Sequence, residues 1–341
     1  MTTSALKKLK MEGHGCRITL ITLKENSELA ELIPAVNTIY YISHSTFKLK
    51  NLLLLAYHIL KLKVCNFDLV LLFHVGFFPR LMAYAIGGRK VVMPGKGSLN
   101  KLVSKDGRTF SKKLNHYCDA YPQVSIEAIK KLGYRPSKRL PIPELSLPKN
   151  VAHICRKYHN IVSRKYIAVF PGGGVNLMAD TKAKRYPQIQ EALELVGQKY
   201  KGQTLVLLGA ATDKSDCEKL ESYLSPWFKC INTSGYTSFQ EFAILIKKAK
   251  VLVTMDSSAM HVGIAYRTPL IALFGPTDPD ELFFPSDHSF VFRPKAKPLY
   301  SGKFKGDEGK AIKIFESIAP ERVAEKIIEY IKQYIVEDHT P

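Results

Sequence analysis

The sequence contains few cysteines, and their spacing fits no metal site. Six are scattered without a C-x-x-C pair or a short repeat, at Cys16, Cys65, Cys118, Cys155, Cys217 and Cys230. The histidines also lack the H-x-x-x-H and H-E-x-x-H spacings of zinc ligands. We therefore expect reduced thiols, as in the cytoplasm, with no bound metal and no other cofactor.

Long apolar runs are absent as well. The longest, Leu52–Leu60, ends at Lys61, far short of the roughly 18 to 20 residues that span a bilayer. Met1–Leu9 reaches Glu12 before the apolar core of a signal peptide can form. We expect no transmembrane helix and a cytoplasmic location.

Acidic residues are scarce relative to basic ones. The 341 residues include 50 Lys and Arg but only 30 Asp and Glu, for a net charge of +20. Residues 1–150 hold 24 basic and 9 acidic residues, or +15, which leaves +5 for residues 151–341. The partner should therefore be anionic. A nucleic acid is not expected, because no reading helix, RNP motif or zinc finger is present.

Apolar runs of strand length alternate with segments of helical period, which is typical of parallel sheets crossed by helices. In the first half we predict strands at Arg17–Leu23, Thr38–Ile42, Asp68–Phe73 and Lys90–Val92. We predict helices at Thr2–Lys10, Glu28–Ile33, Lys48–Lys63 and Pro79–Ile86. A doubly wound domain normally opens with a buried strand, so we expect the first domain to lack its first strand. The alternative is that it simply starts with a helix.

The second half has the more regular pattern. We predict strands at Tyr166–Phe170, Thr204–Leu208, Phe228–Ile231, Val251–Thr254 and Leu270–Phe274. We predict helices at Ile189–Lys199, Asp216–Leu224, Ser238–Lys248, Ser258–Tyr266 and Pro320–Ile335. Residues 133–150 hold four prolines without apolar periodicity, as in an extended connector. The expected divisions are a domain at 1–135, a linker at 136–164, a domain at 165–318 and a C-terminal helix at 319–336.

A candidate anion site follows the predicted strand Val251–Thr254. The chain continues as Asp256-Ser257-Ser258 at the start of a helix, where hydroxyls and backbone N–H groups can bind a phosphate. On this feature alone, the better interpretation is that Asp256 or Ser257 caps the helix and His261 packs inside.

Two further segments favour an anionic ligand only in combination. Gly172-Gly173-Gly174 follows a predicted strand and permits close backbone approach, although a flexible turn has the same composition. Lys182–Pro187 contains three cationic residues and suits a pyrophosphate, although a solvated basic face is the better interpretation of this segment alone. Asp278 and Asp280 match the D-x-D metal signature, but Pro279 holds them in an extended turn, so we expect no metal there.

Asp256-Ser-Ser-Ala-Met-His261, Phe274-Gly-Pro-Thr277 and Lys184-Arg-Tyr-Pro187 together resemble glycosyltransferase family 9, the family of the lipopolysaccharide heptosyltransferases. The resemblance covers Tyr166–Ile331 well and the first half more weakly. It implies an α/β protein of the GT-B fold, with two facing Rossmann-like doubly wound domains. In this family the second domain holds the donor and the first the acceptor.

The resemblance also implies roles for individual residues. Lys184 is similar to the lysine that meets the donor phosphates, and Asp256 and Ser257 to the acid and hydroxyl beside the donor sugar. Asp213 resembles a ribose-binding glutamate, and Thr237 falls where the family lines the base pocket. The full implied donor-binding set is Gly172, Gly173, Gly174, Lys184, Asp213, Thr237, Asp256, Ser257, Ser258, Ala259 and His261.

Two departures from the family affect the expected activity. Ser258 stands where the family usually has Gly, which should alter donor choice. The family's first strand ends in a Gly-Asp turn whose Asp is its proposed general base, and Met1 falls where that turn should just have ended. Without it we expect a loss of about 10² to 10⁴ in rate, restored by an upstream segment. Glu12 and His14 are the fallback candidates for the base.

The expected function is inverting, metal-independent transfer of heptose or a related sugar. The donor would be a nucleotide-diphosphate sugar such as ADP-heptose, and the acceptor an anionic lipid-linked or polysaccharide glycan, as in lipopolysaccharide. The basic first half would place the enzyme peripherally at the inner membrane surface. The alternative is a catalytically inactive protein that binds nucleotide sugar or anionic glycan.

Overall fold

The computed structural model describes residues 2–47, 51–73, 77–86, 90–94, 102–104, 117–137, 141–173, 182–299 and 308–336. The chain divides into two compact units, Met1–Ser146 and Leu147–Pro341. The point of division lies inside the segment 136–164 predicted as the linker. Within the described ranges, no helix is long and apolar enough to cross a membrane.

The first unit alternates helices with short strands. In chain order its elements are α1 (Thr2–Glu12), β1 (Thr19–Leu23), a 3-10 turn (Lys24–Asn26), α2 (Ser27–Ala30), β2 (Thr38–Ile42), a second 3-10 turn (His44–Phe47), α3 (Leu52–Lys63), β3 (Leu69–Leu71), α4 (Phe77–Ile86), β4 (Lys90–Pro94), β5 (Leu102–Ser104) and α5 (Tyr117–Lys131).

These five strands form two separate sheets in the described part of the chain. β1 pairs with β2 in parallel, with Thr19 opposite Thr38. β3 pairs in parallel with β4, which pairs antiparallel with β5. All residues of β1 and β3 are only half-buried. α1 comes before β1, so no strand precedes β1 among residues 2–47.

Two pairs of helices pack together in this unit. α3 and α4 contact one another, and both contribute to one apolar cluster that contains Leu55, Leu62, Met82 and Ile86. α1 packs against α5. The apolar stripe predicted for α1, Ala5, Leu6 and Leu9, is buried as expected.

The second unit has the more regular architecture. Its elements are α6 (Val151–Lys157), α7 (His159–Val162), β6 (Tyr166–Phe170), a 3-10 turn (Lys182–Lys184), α8 (Ile189–Lys199), β7 (Thr204–Leu207), a 3-10 turn (Ala211–Asp213), α9 (Lys214–Leu224), β8 (Lys229–Asn232), α10 (Phe239–Lys248), β9 (Val251–Met255), α11 (Ser258–Tyr266), β10 (Leu270–Leu273), α12 (Pro279–Leu282), β11 (Ser289–Phe292), α13 (Glu308–Phe315), α14 (Pro320–Ile331) and a π-helical segment (Lys332–Val336).

All six strands run parallel, in the order β11-β10-β9-β6-β7-β8. The chain builds the sheet outward from β6 in one direction and then outward from β9 in the other. The strand order thus reverses between β6 and β9, and ligands of such sheets bind beyond the carboxyl ends of the strands at that point. Both central strands are buried along their whole length.

Side chains of alternate strand residues pack against different helices. On one face, Val169 and Val253 join a cluster with residues of α8, α9 and α14. On the other, Phe170 stacks edge-on against Phe242 of α10, and Gly263 of α11 lies close to Leu252. Helices therefore cover both faces, which explains why the strands read as nearly continuous apolar runs.

The predicted elements are largely confirmed, with differences at their ends. The helix predicted at Glu28–Ile33 ends at Ala30, because Pro34 disfavours helical backbone just before it. The helix predicted to reach Ile335 is α-helical only to Ile331. The sequence pattern missed the strands β5 and β11, whose apolar runs span at most four residues, and the helix α5. It also missed the helices α12 and α13, and the short helices α6 and α7, which lie in the segment 136–164 predicted as a linker.

Candidate functional site

Loops at the carboxyl ends of β6 and β9 flank the point where the strand order reverses. Gly172 and Gly173 follow β6, and Asp256 and Ser257 follow β9. These predicted site residues thus lie on the two neighbouring loops that border the crevice. Gly174 lies outside the described residues.

A buried ion pair joins the two strongest candidates. Lys184, in the 3-10 turn before α8, places its Nζ 2.6 Å from Oδ2 of Asp256. The lysine side chain is 19% exposed and the carboxylate 6%. A charge-assisted bond in such a setting fixes both groups, and the ammonium stays partly accessible from the crevice.

Ser257 occupies the N-cap position of α11 but does not cap it. Its Oγ lies 2.9 Å from Thr254 Oγ1, and its side chain makes no cap hydrogen bond. The capping interpretation of this serine is therefore wrong. The first backbone N–H groups of α11 carry the positive end of the helix dipole, next to the exposed Ser258 and the buried Ala259.

His261 lies in the first turn of the same helix. Burial lowers the pKa of its imidazole, the charge of Lys184 lowers it further, and the carboxylate of Asp256 acts in the opposite direction. The ring is therefore neutral at pH 7, and one ring nitrogen remains a hydrogen-bond acceptor.

A second charged group lies on the β7 side of the crevice. Arg185 Nη2 donates to Asp213 Oδ1 at 3.1 Å, and its Nη1 also pairs with Asp216. Asp213 is 2% exposed, and its Oδ2 accepts the backbone N–H of Ala210 at 3.0 Å. A Cβ at Gly172 would lie only 2.5 Å from Asp213 Oδ1. Gly172 therefore cannot carry a side chain while Asp213 lies this close to the loop after β6.

Arg185 is the functional candidate that residue-by-residue prediction missed. It belongs to the cationic segment recognised in the sequence, next to Lys184, but the spacing alone does not distinguish it from a solvated arginine. Its Nε is buried and has no hydrogen-bond partner among the described residues. Together, Lys184 and Arg185 place two cations at the carboxyl ends of the strands.

Two threonines occupy the neighbouring loops. Thr237 is half-buried between β8 and α10, so it lies at the β8 edge of the sheet and away from Asp256. Thr277 follows β10, and its hydroxyl is buried without a hydrogen-bond partner in the described ranges. In the same loop, a Cβ at Gly275 would lie 2.2 Å from the Phe315 ring.

The fallback bases lie in the first unit. Glu12 accepts hydrogen bonds from the Ser137 hydroxyl at 2.6 Å and from Lys8 at 3.0 Å. Burial raises the pKa of Glu12, but the hydrogen bonds from Ser137 and Lys8 outweigh it and lower the pKa overall. These contacts tie Glu12 to the end of the α5 segment. His14 is exposed and stacks on Tyr134 with ring centroids 4.5 Å apart.

The acidic pair that resembles a metal signature has other contacts. Asp278 accepts the backbone N–H of Asp280 at 2.9 Å, which caps α12, and Asp280 pairs with Arg293. Across the described residues, no three His, Cys, Asp or Glu side chains are grouped as metal ligands would be. Metal independence stays a prediction for the assay given below.

Comparison with known proteins agrees with the sequence resemblance. Residues 58–293 match the model of glycosyltransferase family 9 (heptosyltransferase). The lipopolysaccharide heptosyltransferase 2 of Salmonella typhimurium is 30% identical over 253 residues, which cover 68% of this chain and 66% of that protein. The chain thus spans just under two thirds of the length of that relative.

Solved structures show the same fold. The ADP-heptose lps heptosyltransferase II of E. coli superposes with a TM-score of 0.73 at 22% identity, covering 97% of this chain and 94% of the other. The E. coli heptosyltransferase WaaC with ADP gives 0.65 at 17% identity, covering 96% and 95%. The predicted GT-B fold class is confirmed, and the chain belongs to glycosyltransferase family 9.

Proposed function

We propose that this protein transfers heptose or a related sugar from a nucleoside-diphosphate donor to a lipopolysaccharide or similar surface-glycan acceptor. The observation that carries the proposal is the Lys184–Asp256 pair at the N-terminus of α11, with Arg185 in the adjoining turn. The names of its relatives favour ADP-heptose as the donor and lipopolysaccharide as the acceptor.

The proposed reaction needs negative charge to be stabilised as the leaving group departs. The acceptor hydroxyl attacks the anomeric carbon, the bond to the phosphate oxygen breaks, and its electron pair stays on the nucleoside diphosphate. Lys184, Arg185 and the N–H groups of α11 would stabilise that charge. Because attack comes from the side opposite the phosphate, the configuration inverts. These protein cations replace the metal ion that other transferases use.

Asp256 and Asp213 have distinct proposed roles. Asp256 holds Lys184 in the crevice through the 2.6 Å contact and lies where the sugar attached to the phosphates would be. Asp213 is engaged by Arg185 and by the backbone of Ala210, so we propose that it positions Arg185 as well as facing the ribose. Thr237 would border the base pocket.

The proton of the acceptor hydroxyl requires a general base. Glu12 is a weak candidate, since hydrogen bonds lower its pKa and occupy both of its oxygens. His14 has an accessible ring. Replacing each by alanine and measuring the rate of transfer tests both proposals.

Calorimetric titration with ADP tests the donor site. Lys184→Ala should bind ADP roughly ten- to a hundredfold more weakly, because one charge-assisted contact is worth about 1.5 to 3 kcal/mol. The matched control is Lys199→Ala. This exposed lysine ends α8, so it lies near the amino ends of the strands and away from the site. The control should leave ADP affinity unchanged. Equal affinity in the parent and Lys184→Ala would exclude the phosphate role of Lys184.

Transfer itself is measured by mass spectrometry, with ADP-heptose as donor and heptose-free lipopolysaccharide as acceptor. Product formation supports the proposed enzyme. If ADP binds but no product forms, with either this acceptor or an extended series of acceptors, the result would instead support the alternative of an inactive nucleotide-sugar binding protein. We further propose a cytoplasmic location, with the basic first unit at the inner membrane surface.

A further inference from the structure

The helix α3 carries apolar side chains on two opposite faces. Leu55 and Leu62 are buried in the core of the first unit. On the outer face, Leu53 is 89% exposed, Leu60 66% and Val64, just past the helix end, 85%. With the exposed Tyr57, these residues follow the i, i+4, i+7, i+11 spacing of one continuous helical stripe.

The neighbouring helix α4 repeats the pattern. Phe77, Leu81 and Tyr84 are exposed at positions i, i+4 and i+7. α3 and α4 contact each other and cover the same apolar cluster, so their outward stripes lie on one surface. We call these seven residues the α3–α4 surface: Leu53, Tyr57, Leu60, Val64, Phe77, Leu81 and Tyr84. Contiguous apolar surface of this kind marks an interaction site.

The charged side chains on these two helices are all positive. Lys61 and Lys63 are exposed on α3, and Arg80 lies on α4. Neither helix contains an acidic residue. Lys61 lies over the Tyr40 and Tyr57 rings, with Nζ to centroid distances of 5.5 and 6.0 Å. In the sequence as a whole, residues 1–150 carry a net charge of +15.

We propose that the α3–α4 surface docks on an anionic lipid membrane. Apolar side chains with tyrosines and lysines at their border match the boundary between acyl chains and headgroups. The excess positive charge favours anionic headgroups over a second copy of this chain, because two such surfaces would repel each other. Membrane docking rests on the proposed function in one respect: it would bring the enzyme to a lipid-linked acceptor.

Sedimentation with lipid vesicles tests the docking. The protein should bind vesicles of phosphatidylethanolamine and phosphatidylglycerol, and bind phosphatidylcholine vesicles much more weakly. Leu53→Ser with Leu60→Ser should weaken binding at least about tenfold, because two exposed leucines no longer enter the lipid. Lys61→Gln and Lys63→Gln should each weaken it about fivefold.

Matched controls separate the docking surface from general effects. Leu147→Ser with Ile312→Ser removes two aliphatic side chains that are 48% and 46% exposed in the second unit and should leave vesicle binding unchanged. The substituted side chains point to solvent, so the circular dichroism melting curve should match that of the parent. Lys184→Ala should bind vesicles normally, so loss of the donor site and loss of docking are distinguishable.

Two results would overturn the proposal. One is equal vesicle binding by the parent and by the Leu53/Leu60 variant. The other is a concentration-dependent dimer, seen by analytical ultracentrifugation, that this variant abolishes while the parent fails to bind vesicles. The second result would assign the α3–α4 surface to self-association.

Discussion

Replacing Lys184 by methionine should destabilise the second unit measurably. Asp256 is 6% exposed, and Lys184 Nζ lies 2.6 Å from its carboxylate. The variant Lys184→Met keeps the aliphatic length but leaves a buried carboxylate without its cation. Removing one partner of a buried pair costs about 3 kcal/mol, which corresponds to a fall of about 6 to 12 °C in the melting temperature of a domain of this size.

Fluorescence provides a local assay. Trp227 is the only tryptophan of the chain and packs at the edge of the core of the second unit, so its emission follows the unfolding of that unit alone. The double variant Lys184→Met/Asp256→Asn should recover most of the loss, because an uncharged amide is much cheaper to bury than a carboxylate. The surface control Lys199→Ala should change the unfolding free energy by less than about 0.5 kcal/mol.

Two outcomes would refute this reasoning. If Lys184→Met melts at the temperature of the parent, the ion pair makes no net contribution to stability. If the double variant is less stable than Lys184→Met, the penalty does not come from the uncompensated Asp256 charge.

Three further outcomes are expected. The pKa of His261 is lowered in the folded state, so the unfolded chain takes up the proton first as the pH falls. The free energy of unfolding should therefore decrease below about pH 6.5. In urea titrations followed by Trp227 fluorescence, His261→Gln should reduce this pH dependence between about pH 6.5 and 5. Sugar transfer should be unaffected by EDTA; loss of activity that Mg²⁺ restores would return Asp278 to consideration as a ligand. Gly275→Ala should lose about 1 to 3 kcal/mol of stability, since its Cβ would meet Phe315 at 2.2 Å; a melting curve equal to that of the parent would contradict the close packing of this loop.

The regular elements of the second unit follow from local patterns. The strand Tyr166–Phe170 and the helices Ile189–Lys199 and Ser258–Tyr266 have the predicted bounds. The strand is a continuous apolar run that ends at Pro171, Ile189–Lys199 has a clear apolar period, and Ser258–Tyr266 is apolar on most sides after the polar Asp256-Ser257. Short elements at the edges, such as β11, lack enough residues for a period to be recognised.

The contacts within the site depend on distant parts of the chain. Lys184 and Asp256 were both predicted for the site, but their direct contact joins residues 72 apart. The Arg185–Asp213 pair depends on the placement of the β6 and β7 loops side by side. Glu12 was a candidate base on position alone, and its bonds to Ser137 span 125 residues. Local sequence cannot specify such pairings, because the sheet order decides them.

The two small sheets of the first unit imply uneven protection of backbone amides. Among the described strands, only β4 in this unit has neighbours on both sides, whereas four of the six strands of the second unit do. Amides along β1, β2 and β3 should therefore exchange with deuterated solvent well before those of β6 and β9. The first unit, which carries the α3–α4 surface, should therefore unfold locally at a lower free-energy cost than the second unit.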